Sequence, residues 1–193
     1  MKPHMHAVSS VRKQGHGKPE DYFPIHQFMD TTKKAQGKVS HRLVLHNTLG
    51  CFIAERLFGE VDLSSDDKSY YPRDIAEQHC MEDTGGILSV QAWCREIKLE
   101  DWMQNPRETH EHEGSRKIHE FLDEPWDCWW DPRSQAITHS AFGIHLVRLI
   151  FGHKYTEIAK QHIIDDLGFI PSINDWTKDV RIKSWMGPPR SRK

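Results

Sequence analysis

The sequence predicts an all-α protein made of two tandem copies of a four-helix unit packed as a pseudo-dimer. Three observations lead there. Short motifs recur at a fixed offset, apolar residues recur at helical spacing, and no stretch shows the alternation expected of a half-buried strand.

The repeat comes first. Ile25-His26-Gln27-Phe28-Met29-Asp30 matches Ile118-His119-Glu120-Phe121-Leu122-Asp123, an offset of 93 residues. The same offset pairs His46 with His139, Gly50 with Gly143, and Phe58-Gly59 with Phe151-Gly152. Further on, the offset shortens to 83. It pairs Ile75-Ala76-Glu77-Gln78-His79 with Ile158-Ala159-Lys160-Gln161-His162, Asp83 with Asp166, Trp93 with Trp176, and Trp102-Met103 with Trp185-Met186. The change of offset falls in the polar stretch 60–74, where a loop tolerates a change of length. The expected organisation is an N-terminal segment 1–19, a first repeat 20–104, a linker 105–112 holding Pro106, a second repeat 113–186 and a basic tail 187–193.

Each copy predicts four helices. In the first copy the first helix spans 24–34, with Pro24 in its opening turn. The second spans 41–58, with Ser40 as N-cap and Gly59 as its stop. The third spans 73–83 and ends at Gly85-Gly86; the fourth follows Ser89 and includes Val90, Trp93 and Ile97. The second copy repeats this from Ile118, then over 133–151, 155–167 and 172–180. Short strands within 60–72 stay open. In the second helix Leu43, His46, Gly50, Ile53 and Leu57 form one stripe, which predicts a buried His46 and, in the other copy, a buried His139. Glycine in a helix costs roughly 1 kcal/mol relative to alanine. Its presence at both 50 and 143 predicts close approach by a neighbouring helix or a bound group.

Composition narrows the class. Hydrophobic residues at 37% and charged residues at 28% describe a globular chain. No apolar run approaches the roughly 20 residues that span a bilayer, so no membrane partner is expected. No apolar segment of signal-peptide type stands at the start, so the expected location is cytoplasmic. The net charge of -2 gives no pull toward nucleic acid, and none is expected as a partner. Cys51, Cys80, Cys94 and Cys128 contain no CxxC pair, which argues against a cysteine-rich zinc site; Cys51 and Cys80 read as small core residues.

Histidine is the unusual residue, with 14 in the chain. His26/Asp30, His79/Asp83, His119/Asp123 and His162/Asp166 are His-x-x-x-Asp pairs, a spacing that puts both side chains on one helix face. Each copy thus offers three imidazoles and two carboxylates. The expected metal ligands are His26, Asp30, His46, His79 and Asp83 in the first copy and His119, Asp123, His139, His162 and Asp166 in the second. Imidazole and carboxylate suit a divalent transition metal such as Zn, Fe or Mn. An open position on it would activate water. Glu55 is the expected general base and Arg42 the expected anion-binding group. Both also read as solvated helix residues, and a buried His-Asp hydrogen bond that only locks helix packing gives the same spacing. Where Arg42, His41 and Glu55 stand, the second copy has Gln135, Ser134 and Arg148, which makes the first copy the expected active one. His4 reads as part of a flexible tail. His6, Ser9, Ser10 and Lys13 lie before the first copy and could fold over its site. The loop tryptophans Trp126, Trp129 and Trp130 read as cover for a core edge.

The run His6-Ala7-Val8-Ser9-Ser10, then Glu20-Asp21-Tyr22, Ile25-His26, Leu45-His46 and Glu55-Arg56-Leu57-Phe58-Gly59 resembles an uncharacterised family of short phage and bacterial proteins of unknown function. The resemblance covers 6–103. It implies a unit that folds alone or as a dimer, and hence a monomer with an internal pseudo-two-fold or a homodimer, in a bacterium or phage-infected host. The family's basic and histidine run before the second-helix histidine is matched only partly by Ser40-His41-Arg42. Two functions stay open: a metal-dependent hydrolase of a phosphate ester or nucleotide, and a non-enzymatic accessory binding module with structural His/Asp clusters. The partner, small molecule or protein, is not specified by either.

Overall fold

The computed structural model describes residues 1–34, 41–104 and 115–181. It is mostly helical, in line with the all-α expectation, and divides into two compact units. Unit one runs over Met1–Ser89 and unit two over Val90–Arg181. No helix among the described residues is long and apolar enough to cross a membrane.

Unit one contains α1 (Pro3–Gln14), α2 (Pro19–Met29), α3 (Arg42–Leu45), α4 (Thr48–Phe58) and α5 (Pro72–Thr84), with a 3-10 turn Thr31–Lys34 after α2. The strands β1 (Asp62–Leu63) and β2 (Ser69–Tyr70) pair antiparallel between α4 and α5, with Asp62 opposite Tyr70. Helix α2 packs against α1, α4 and α5, and Ile25, Met29, Leu43, Ile53 and Ile75 fill the core. Unit two contains α6 (Val90–Cys94), α7 (Arg116–Trp129), α8 (Ala141–Phe151), α9 (Thr156–Leu167) and α10 (Ile173–Thr177), with 3-10 turns at Asp101–Gln104, Pro132–Ala136 and His153–Tyr155. Its α9 packs against α7 and α8 around Ile118, Leu122, Leu146, Ile163 and Trp176. Burying each such side chain favours folding by about 1.5–3 kcal/mol. Helix α6 and the turn Asp101–Gln104, expected at the end of the first repeat, fall in unit two, where α6 lies against the turn Pro132–Ala136.

Several expectations on the helices are corrected. The first helix begins at Pro19 rather than Pro24; Asp21 accepts from the backbone N–H of Lys18 at 2.7 Å and fixes that start. Pro24 sits inside α2, which ends at Met29. The 1–19 segment is not a tail: most of it is α1, and among its residues His6, Ala7 and Ser10 are buried. His4 is exposed. The helix expected over 41–58 is broken at His46, whose φ and ψ are -85° and 53°. Asn47 follows in extended backbone and caps α4, its side chain accepting from the Gly50 N–H at 3.0 Å. Unit two breaks at the same place: Ser140 caps α8 and accepts from the Gly143 N–H at 3.3 Å. Asn and Ser win this competition because their side chains satisfy a helix-start N–H that otherwise has no partner. Ser40, the expected cap, lies outside the described residues, as do Trp185, Met186 and the whole 105–112 linker.

The break also explains the two glycines. A Cβ on Gly50 would stand 2.0 Å from the Leu45 carbonyl oxygen, and one on Gly143 would stand 1.7 Å from that of Thr138. The close approach comes from the preceding turn of the same segment, not from a neighbouring helix or a bound group. The turn is pinned at the next residue, where Thr48 N–H donates to the Leu88 carbonyl at 3.0 Å and, in unit two, Ala141 N–H donates to that of Pro171 at 2.8 Å.

Gly50→Ala and Gly143→Ala are each expected to destabilise the protein by more than about 2 kcal/mol in urea unfolding, because backbone must move to clear the methyl. Gly86→Ala, with open space around its Cβ, is the matched control and is expected to change stability by less than about 1 kcal/mol. Equal effects at Gly50 and Gly86 would contradict the tight turn.

Candidate metal centres

Four donor side chains meet inside unit one. Asp30 is the C-cap of α2, His46 stands at the break between α3 and α4, and His79 and Asp83 lie one turn apart on α5. One donor atom of each lies within 4.8 Å of the others. His79 Nε2 is 3.1 Å from His46 Nε2, 3.5 Å from Asp30 Oδ1 and 3.8 Å from Asp83 Oδ2. His46 Nε2 is 3.4 Å from Asp83 Oδ2. All four residues are buried.

Cations flank these carboxylates. Lys33 Nζ is 2.5 Å from Asp30 Oδ2. The Arg42 guanidinium grips Asp83 twice, Nη2 at 2.9 Å from Oδ2 and Nη1 donating to the backbone carbonyl at 2.9 Å. The Met1 amine stands 2.5 Å from Asp83 Oδ1. Asp30 Oδ1 is buried without a hydrogen bond, and the ring nitrogens of His41 and His79 that approach it stop at 3.5 Å.

His26 stands behind this group rather than in it. Its Nδ1 is 3.1 Å from His79 Nδ1, and its Nε2 is 2.8 Å from Ser10 Oγ on α1. Ser10 donates to Gln78 Oε1 at 3.1 Å, and Gln78 Nε2 donates to Glu82 Oε1 at 2.9 Å. Glu82 also accepts from Ser9 at 2.6 Å and Lys13 at 2.9 Å, and its Oε2 is 2.6 Å from His6 Nδ1. His6 Nε2 turns to Asp83 Oδ1 at 3.3 Å. His6, His26 and His79 each bring a nitrogen within 4.8 Å of the other two. His26 stacks on His6 and on His79 at interplanar angles of 25° and 30°, and His6 is tilted against His79 at 35°.

Unit two repeats the four-donor group with Asp123 on α7, His139 before α8, and His162 and Asp166 on α9. His139 Nε2 is 2.9 Å from Asp166 Oδ2, 3.2 Å from His162 Nε2 and 3.6 Å from Asp123 Oδ1. His162 Nε2 is 3.2 Å from Asp166 Oδ2 and 3.3 Å from Asp123 Oδ1. His119 stacks edge-on against His162, ring centroids 4.5 Å apart, in the place His26 takes beside His79. The Gln135 amide nitrogen lies 3.2 Å from His139 Nε2. The Trp176 indole donates to the His139 backbone carbonyl at 3.0 Å and fixes the chain there. The Asp123 side chain is 20% exposed, against 4% for Asp30.

Electrostatics put these groups in ligand-ready states. Burial lowers the His46 pKa to about 3 and, helped by His79 and His6, the His26 pKa to about 2. It also lowers those of His79 and His139. Burial pushes Asp30 and Asp83 up, but imidazole contacts outweigh it and hold both below the usual carboxylate range, with Lys33 assisting at Asp30 and the Met1 amine at Asp83. Neutral imidazole and ionised carboxylate are the forms a metal ion binds.

Arg42 and Glu55, the expected anion-binding group and general base, both face charged partners. Arg42 is engaged by Asp83. Glu55, about a quarter exposed, faces Arg73 at 3.9 Å and is outside the donor groups. Sequence reasoning assigned no role to Glu82 or Lys33 and left the fold of α1 open. A signal for α1 was there: His6, Ser9, Ser10 and Lys13 follow helical spacing, and all four reach unit one's network around Glu82.

The chain belongs to a family described as Domain of unknown function (DUF6915), whose model matches residues 1–103 and 110–186. No curated protein and no solved structure matches the chain.

Because His26 and His46 resist protonation when folded, the unfolded chain binds more protons below pH 6.5. Their stabilisation is whole above that pH and declines toward the folded values of about 2 and 3. The metal-free protein is expected to lose up to about 1.4 kcal/mol per pH unit for each such histidine between pH 6 and pH 4. Urea midpoints across that range check this, and a flat profile would contradict the buried neutral rings.

Proposed function

For a member of that family, we propose a metal-binding role: a non-enzymatic helical module that holds a divalent transition ion at the two-histidine, two-aspartate cluster of each unit. One observation carries the reading. The five donor separations of unit two run from 2.9 to 3.6 Å. Ligands about 2.0–2.1 Å from a tetrahedral zinc ion stand roughly 3.4 Å from one another. The separations of 3.1–3.8 Å in unit one scatter about the same value. Hydrogen bonding alone would bring one nitrogen of each histidine pair to the other as donor and leave Asp30 Oδ1 buried with no bond. A cation at the centre satisfies all four donors together.

The two clusters are, on this reading, copies made by internal duplication. Supporting it are the shared sequence offsets, the matching helix caps at Asn47 and Ser140, and the matching bonds from Thr48 to Leu88 and from Ala141 to Pro171.

A metal-dependent hydrolase of a phosphate ester or nucleotide is the second reading, favoured by the exposure of Asp123. Hydrolysis needs a coordination position that water can reach. Unit one's donors are enclosed, whereas Asp123 gives unit two an edge on solvent. Catalysis therefore fits unit two better than the first copy, where the sequence had placed it.

Untagged protein analysed for metals is expected to carry about two equivalents of one transition ion once reconstituted. The double variant His46→Ala/His139→Ala is expected to carry close to none while keeping its helical circular dichroism. No bound metal in the native protein, before or after reconstitution, would overturn the proposal. Phosphodiester cleavage by the loaded protein, lost in His139→Ala and kept in His46→Ala, would move the reading to the hydrolase.

A further inference from the structure

We infer that the two clusters take up metal in sequence, unit two first, because Arg42 gives unit one an internal counter-ion that competes with the incoming ion. The inference rests on the metal-binding reading above and adds an order of filling to it.

In unit one the guanidinium sits 2.9 Å from Asp83 Oδ2, the oxygen that also faces His46 and His79. A divalent ion entering there must share or displace that contact and sit beside a buried positive charge. Arginine stays protonated at any working pH, so the competition cannot be relieved by loss of a proton. A second fixed cation, Lys33, does the same at Asp30. In unit two the position of Arg42 is uncharged, since Gln135 stands there. Gln135 is neutral and turns its amide to the His139 ring rather than to Asp166. Attraction between a divalent ion and two carboxylates is strong in a buried site, and a fixed positive charge a few ångströms away subtracts from it directly.

The order of filling has a physical consequence. At low free metal unit two holds its ion while unit one keeps the Arg42–Asp83 pair. A rise in free metal then loads unit one and loosens the guanidinium from Asp83, so occupancy of unit one reports metal concentration above the range in which unit two saturates.

The test is a zinc titration of the full-length protein against a chelating dye. The native chain is compared with His46→Ala and His139→Ala to assign the sites, and with Arg42→Gln, Arg42→Lys and Gln135→Arg. The expected result is two affinities at least tenfold apart, the tighter one lost in His139→Ala. Arg42→Gln is expected to tighten the weaker site at least tenfold, and Arg42→Lys, which keeps the charge, to leave it weak. Gln135→Arg, which leaves unit one untouched, is expected to weaken the tighter site at least tenfold and serves should Arg42→Gln fail to fold. Two sites of equal affinity, a tighter site lost in His46→Ala, or no response to Gln135→Arg would overturn the inference and leave the metal-binding reading in place. No zinc bound by the native chain would overturn both.

Discussion

Burying two carboxylates in a small helical core is the constraint on which the rest of unit one depends. Removing an ion from water costs several kcal/mol even after the surroundings relax. Asp83 is 1% exposed and ionised, and the structure answers with Arg42, His6, His46 and the Met1 amine. Those partners come from α1, α3 and the break before α4, so the charge dictates where three separate segments must lie. Asp30 does the same for Lys33 in the 3-10 turn after α2. The apolar core supplies most of the folding free energy, but it would tolerate many side-chain exchanges. The carboxylates tolerate few, since removing one partner leaves a buried charge uncompensated.

Much of this was legible in the sequence, and the misses have physical causes. The His-x-x-x-Asp spacing placed His79 with Asp83 and His162 with Asp166 correctly, because both members of each pair lie within one helix, α5 or α9. The same spacing put His26 and His119 among the ligands, and the structure sets them beside His79 and His162, next to the four-donor groups rather than within them. Spacing fixes a face, not which side chain reaches the centre. Ser10, arriving from α1, takes the Nε2 of His26. Helix α1 was hard to see because its residues are mostly polar, and its buried face is made of His6 and Ser10 beside Ala7. The stripe through His46 and Gly50 read as one continuous helix because apolar periodicity survives a tight break. The signal of that break was the capping residue followed three positions later by glycine, Asn47 with Gly50 and Ser140 with Gly143.

The clusters also show what burial does to competing functions. Enclosure raises the strength of every electrostatic contact and removes the water that hydrolysis would use. Unit one has gone far in that direction, with its arginine turned inward and Glu55 turned to Arg73. Unit two, with the partly exposed Asp123, has not. Similar donor sets therefore sit in two different electrostatic settings, and the difference lies in residues next to the donors rather than in the donors themselves.

The four donors of each cluster come from one unit: Asp30 to Asp83 in the first, Asp123 to Asp166 in the second. Among the described residues, neither cluster takes a donor from the other unit. Closing loops of this length costs little conformational entropy, and short-range contacts assemble fast. On a ribosome, all four donors of the first cluster have been synthesised before Asp123 is added. The charges of each cluster are then gathered away from water within its own stretch of chain.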